Sequence, residues 1–121
     1  MLKALFSMDS FRRHVSSVSV YKTMEQANYY AMSKMYTRRS FLVMNGLNRV
    51  VKYREGATHN YPLLILNGDK DIELAQRMSE RWHKELPLSN FYTIPNAGHC
   101  ANMDNPDVFN RIVMEFIGER R

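Results

Sequence analysis

The chemistry-bearing residues of this chain gather in two short segments. Asn67-Gly68-Asp69-Lys70-Asp71 carries two carboxylates, and Pro95-Asn96-Ala97-Gly98-His99-Cys100 carries a histidine beside the single cysteine. A carboxylate that accepts an imidazole N–H fixes the tautomer of the ring and stabilises the imidazolium formed when the ring takes a proton. The other ring nitrogen is then free to act as a general base. On residue type and spacing alone, two readings stand side by side. Either an aspartate and His99 form such a pair, or Asp69 and Asp71 are turn and helix-cap residues and His99 is a loop histidine bonded to backbone.

Rival chemistries are poorly supplied. His14, His59, His83 and His99 have neither H-x-x-x-H nor H-E-x-x-H spacing, so no metal site is expected. Cys100 adjoins His99, but neighbours in sequence usually point apart, and it reads as a packing residue. The serines, Ser7, Ser10, Ser16, Ser17, Ser19, Ser33, Ser40, Ser79 and Ser89, fall in helices or their connections. A strand-to-helix nucleophile turn needs Gly-x-Ser-x-Gly, and no two of the five glycines are four residues apart. No cofactor is expected.

The elements that must hold the two segments follow from the apolar pattern. Pro62 to Asn67 is a continuous apolar run ended by Asn-Gly, which predicts a strand buried on both faces of a parallel sheet. Ile72 to Leu86 predicts a helix with Leu74, Ala75, Met78 and Trp82 on one side, capped by Asp71 or a neighbour and stopped by Pro87. Asn90 to Ile94 predicts a second strand, closed by Pro95. Asn105-Pro106 starts a last helix, with Asn as N-cap and Val108, Phe109, Ile112, Val113, Phe116 and Ile117 as its apolar face. Strand, helix, strand, helix with short loops is the order of a right-handed parallel crossover. Both chemical segments then follow the C-terminal ends of neighbouring strands, where ligands bind in open α/β sheets.

The first half has a different texture. Residues 1 to about 55 are rich in Met, Tyr and Arg and contain no proline, whereas all four prolines lie beyond residue 60. Leu2, Leu5, Phe6 and Met8 suggest a short amphipathic turn or helix. Thr23-x-x-Gln26 has the form of a capping box and opens a helical run from Met24 to Met35, with Ala27, Ala31 and Met35 in register. Ser40 would cap a third helix with Phe41, Leu42, Met44, Leu47, Val50 and Val51 as its stripe, weakened by Gly46 by about 1 kcal/mol. This content reads either as plain core or as an adaptable lid over an apolar pocket, since Met repacks easily.

Composition narrows the function classes. The chain has 121 residues, enough for one domain with a modest core. No apolar run approaches the roughly 18 residues of a membrane span, and the N-terminal stretch lacks the features of a signal peptide. With one cysteine, no internal disulfide is expected, and a cytoplasmic location follows as the expectation. The net charge of +5 comes from dispersed Lys and Arg, so a solvated basic surface is expected rather than a nucleic-acid track.

The order of these features resembles a known family. An apolar strand, Gly-x-x-Asp, a helix, a strand, Pro-Asn-Ala-Gly-His and an Asn-Pro-started helix resemble the C-terminal segment of α/β-hydrolases. Here the text is Pro62-Leu-Leu-Ile-Leu-Asn-Gly-Asp-Lys-Asp71, then Ile94-Pro-Asn-Ala-Gly-His99, then Asn105-Pro-Asp-Val-Phe109. The resemblance covers about residues 61 to 118. It implies that Asp71 is the acid and His99 the base of a nucleophile–His–acid triad, with Asp69 at a variable position. It places residues 1–55 as a helical cap and residues 56–121 as the C-terminal part of the hydrolase core. It implies an esterase-like parent activity on a small apolar or mixed organic substrate. The elbow nucleophile would lie upstream of Met1, so the chain reads as a truncated form, inactive alone. A shortened homologue that works as a binding module is the alternative. The unpaired edge of the first strand would favour self-association.

Overall fold

The computed structural model describes residues 7–40, 43 and 61–118. Two helices come first, α1 (Met8–Ser19) and α2 (Thr23–Ser33). Then follow β1 (Leu63–Gly68), α3 (Glu73–Glu85), β2 (Ser89–Ile94), the short α4 (Ala101–Asp104) and α5 (Pro106–Gly118). The strands pair in parallel, from Leu63 opposite Ser89 to Gly68 opposite Ile94. The α/β class and the strand–helix–strand–helix unit are those expected. The turn residues set the bounds: Asn-Gly ends β1, Pro87 follows α3 and Pro95 follows β2.

Burial departs from expectation. Only Asn67 and Gly68 of β1 are buried, and Leu63 to Leu66 are half-buried, so the strand is not covered on both faces by the described residues. Leu74, Met78 and Trp82 of α3 are exposed rather than packed. The apolar pattern predicts a core-facing side, but a helix stripe marks only which face is apolar. The core that does form lies under the second loop. Ile94, Ala97 and Ala101 are buried together, with Leu66, Val108, Phe109 and Ile112 packed against them. Thus α5 and the strand ends jointly support the segment that carries His99.

The first two helices form a hairpin held by polar groups. The described part of the first half is helical as its pattern predicts, but the helix over residues 8–19 is one that no expected element placed; Ser7 caps it by accepting from the Ser10 N–H at 3.2 Å. Arg12 donates to the carbonyls of Ser33 at 3.2 Å and Tyr36 at 2.7 Å, closing the end of α2. Asp9 accepts from the Tyr30 hydroxyl and from Arg13 Nε. The capping box at Thr23 is not formed. Lys22 is the N-cap, Thr23 is already helical, and Gln26 turns its amide to the Val20 carbonyl at 2.9 Å. Ala27, Ala31 and Met35 face outward. Thr37, not Ser40, caps the next helical stretch, accepting from the Ser40 N–H at 3.3 Å. The stripe expected from Phe41 to Val51, the turn expected from Leu2 to Phe6, and Gly46 lie outside the described residues.

Candidate active site

The two loops beyond β1 and β2 are stitched together by backbone. Asp69 N–H donates to the Ile94 carbonyl at 3.0 Å, and Lys70 N–H donates to the Ala97 carbonyl at 2.9 Å. In return, Ala97 N–H donates to Asp69 Oδ1 at 3.1 Å. The approach is so close that a Cβ on Gly68 would lie 2.0 Å from the Ala97 carbonyl oxygen and 2.4 Å from that of Gly98. Only glycine fits there, which explains physically the first residue of Gly-x-x-Asp. Asn96 takes a positive φ of 55°, a left-handed conformation that Asn tolerates better than most residues, and so lets the second loop turn back.

This stitching brings Asp71 to His99. Nδ1 of His99 lies 3.1 Å from Asp71 Oδ2 and 3.2 Å from Oδ1. The Asp71 side chain is 4% exposed and that of His99 is 61% exposed. A shielded carboxylate thus holds one nitrogen of a ring whose body faces solvent. Asp71 is fixed in turn by two contacts. Ile72 N–H donates to its Oδ1 at 2.7 Å, and Gln76 Nε2 donates to its carbonyl at 2.9 Å. The expected capping of α3 by Asp71 is not formed: Ile72 is the N-cap, no side chain caps the helix, and the Asp71 carboxylate is spent on the Ile72 N–H and the imidazole. Asp69 does different work, bracing the loops and pairing with Lys70 Nζ at 3.4 Å.

Asp104 was not singled out from the sequence, yet it anchors the site. It is 1% exposed and accepts three backbone N–H bonds: Gly98 at 2.8 Å, Tyr21 at 2.9 Å and Lys22 at 2.7 Å. Cys100 N–H donates to the Ser19 carbonyl at 2.8 Å. A Cβ on Gly98 would meet the Tyr21 nitrogen at 3.1 Å, and Asp104 Oδ2 and the Ser19 carbonyl oxygen at 3.4 Å. The loop bearing His99 is thus pressed between β1 and the connection from α1 to α2.

The Cys100 thiol and five of the serine hydroxyls are poorly disposed to attack. Burial pushes the Cys100 thiol above its ordinary range, and the Asp104 and Asp71 carboxylates add to the shift, so the thiolate is disfavoured. Ser16, Ser17, Ser33, Ser79 and Ser89 donate their hydroxyls to carbonyls three or four residues back. Among the described residues, no group of three or more His, Cys, Asp or Glu could hold a metal ion, and no helix is long and apolar enough to cross a membrane.

With this geometry in view, known proteins offer a frame. No family model matches the chain. An uncharacterised hydrolase of Bacillus subtilis, YugF, is 24% identical over 82 residues, 62% of this chain and 30% of the relative. A second protein of that organism, provisionally named 2-succinyl-6-hydroxy-2,4-cyclohexadiene-1-carboxylate synthase, is 34% identical over 56 residues, 46% of this chain and 20% of the relative. Among solved structures, BpoC of Mycobacterium tuberculosis H37Rv, provisionally named a non-heme bromoperoxidase, superposes with a TM-score of 0.71 at 16% identity. That superposition covers 99% of this chain and 49% of BpoC. The chain spans about half the length of the solved neighbour and under a third of the curated relatives. In sequence it resembles one protein named a hydrolase and one named a synthase, and its fold is that of part of an α/β-hydrolase.

Proposed function

We propose that Asp71 and His99 are the acid and base of a nucleophile–His–acid triad that hydrolyses an ester or a related bond. The single observation that carries this reading is the bond from a shielded Asp71 carboxylate to one ring nitrogen of an exposed His99. With Nδ1–H held by Asp71, Nε2 of His99 is the nitrogen free to accept a proton from a nucleophile. Asp71 would keep this tautomer and stabilise the imidazolium, and the same proton would later pass to the leaving group. The nucleophile is assigned to polypeptide outside the described residues. Five of the described serines donate their hydroxyls to nearby carbonyls, the Cys100 thiolate is disfavoured, and the solved neighbour is about twice as long as the match. Residues 1–55 would act as a cap over an apolar or mixed organic substrate. Exposed Leu74, Met78 and Trp82, and the sparse cover of β1, fit a sheet that continues into that further polypeptide.

The test uses the polypeptide as its own cells make it, captured by an antibody to this chain, sized by intact mass and assayed with p-nitrophenyl esters. Turnover that falls about 10⁴-fold in Asp71→Asn, and comparably in His99→Ala, is the expected result. The 121-residue chain alone should give no turnover, because nucleophile and oxyanion donors supply the largest catalytic terms. Ester turnover by that chain which vanishes in His99→Ala would contradict the assignment of the nucleophile elsewhere. A native species of 14.3 kDa without turnover, but with a partner bound independently of Asp71 and His99, would favour a binding module on the same exposed surfaces.

A further inference from the structure

His99 is flanked on both sides by bonds to a segment about eighty residues earlier in the chain. On one side, the Gly98 N–H is held by Asp104, which also holds the N–H groups of Tyr21 and Lys22. On the other, the Cys100 N–H is held by the Ser19 carbonyl. Tyr21 and Lys22 form the connection between α1 and α2, so one buried carboxylate ties the helical hairpin to the residue preceding His99. A buried carboxylate needs its donors, because losing them leaves a charge without compensation. Undocking the hairpin would remove two of the three. The loop then has to move, or the carboxylate has to find other donors.

We propose that Asp104 is a positioning residue that makes the His99–Asp71 geometry conditional on docking of the α1–α2 hairpin, an inference that rests on the pair proposed above. The hairpin then does more than cover a pocket: it sets the base. A docked hairpin keeps Gly98 in place, which keeps His99 Nδ1 on Asp71. A displaced hairpin releases the loop and the tautomer with it. Such a link would let substrate contacts on the hairpin favour the working form of the histidine.

The test is made on the 121-residue chain by long-range ¹H–¹⁵N NMR of the His99 ring and by amide hydrogen exchange. Asp104→Asn keeps the shape but places an NH₂ group where one carboxylate oxygen accepted. Gly98→Ala leaves Asp104 intact and wedges a methyl group against the Tyr21 nitrogen. In either variant with β1 and β2 amides still protected, the expected result is loss of the Nδ1–H tautomer although Asp71 is untouched. The amides of Tyr21, Lys22, Gly98 and Cys100 should exchange roughly ten- to a hundredfold faster. A wild-type tautomer retained in a folded variant would overturn the proposal, as would global unfolding of both variants, which would leave Asp104 a merely structural residue. Absence of the Nδ1–H tautomer from the wild type would refute the catalytic pair itself, and the coupling with it.

Discussion

The two loops that meet at Asp71 and His99 and the outer faces of α3 and α5 are built to different standards. In the loops, backbone approaches backbone closely enough that Gly68 admits no side chain, and Asp69, Asp71 and Asp104 all have bonded partners. On the helices, Leu74, Met78 and Trp82 recur every four residues and Met114 and Ile117 lie near the end of α5, all exposed. Helical periodicity of this kind marks a face that packs against something. The contrast separates a pair of loops that the described residues bond together from an apolar flank that they leave exposed.

The sharpest way to break this contrast is at Gly68. Gly68→Ala forces a backbone shift rather than a rotamer change, and it is expected to cost at least about 3 kcal/mol in denaturant unfolding. A cost near zero would mean that the loops are not stitched as described. The flank should respond oppositely. Leu74→Lys with Trp82→Lys is expected to change stability by no more than about 0.5 kcal/mol at low protein concentration. It should also remove self-association of the wild type, measured by gel filtration across a concentration series. A wild type that stays monomeric at every concentration and melts sharply would show that the flank needs no cover.

Much of this contrast was legible in residues and much was not. Gly-x-x-Asp and Ala-Gly-His stood out because close backbone approach and a left-handed turn demand Gly and Asn, and those demands leave a signature in sequence. The strands and the long helices after residue 60 were legible because apolar runs end at Asn-Gly and Pro. Helix α1 is legible on a closer reading, since Phe11, Val15 and Val18 recur at helical spacing with polar residues between them, and the Ser7 cap and Asp9 in the first turn add to the signal. Asp104 was invisible. Its partners Tyr21 and Lys22 lie 83 and 82 residues away, and a lone acid before Asn-Pro looks like a turn residue. Burial on α3 is not legible, because periodicity tells which face is apolar and not whether anything covers it.

The smallest expected effect is on the hairpin. The Tyr30 hydroxyl, and then Arg13, hold the Asp9 carboxyl below its ordinary value of 3.8. A folded-state value lowered in this way stabilises the hairpin above pH 3.8, and the contribution is lost as pH falls through the lower folded value. Asp9 also raises the Tyr30 hydroxyl above 10, so that side of the bond is lost only as pH rises through the raised value. Tyr30→Phe should therefore lower stability slightly near neutrality, with the difference fading in acid below pH 3.8. A difference that grows on acidification would contradict the assignment.

The central claim is that Asp71, and not Asp69, sets the histidine. The direct measurement is the ¹⁵N spectrum of the neutral His99 ring in the wild type and in Asp71→Asn and Asp69→Asn. Protonated Nδ1 and bare Nε2 are expected in the wild type and in Asp69→Asn, with that tautomer lost in Asp71→Asn. A ring protonated on Nε2 in the wild type, or one indifferent to Asp71→Asn, would contradict the claim.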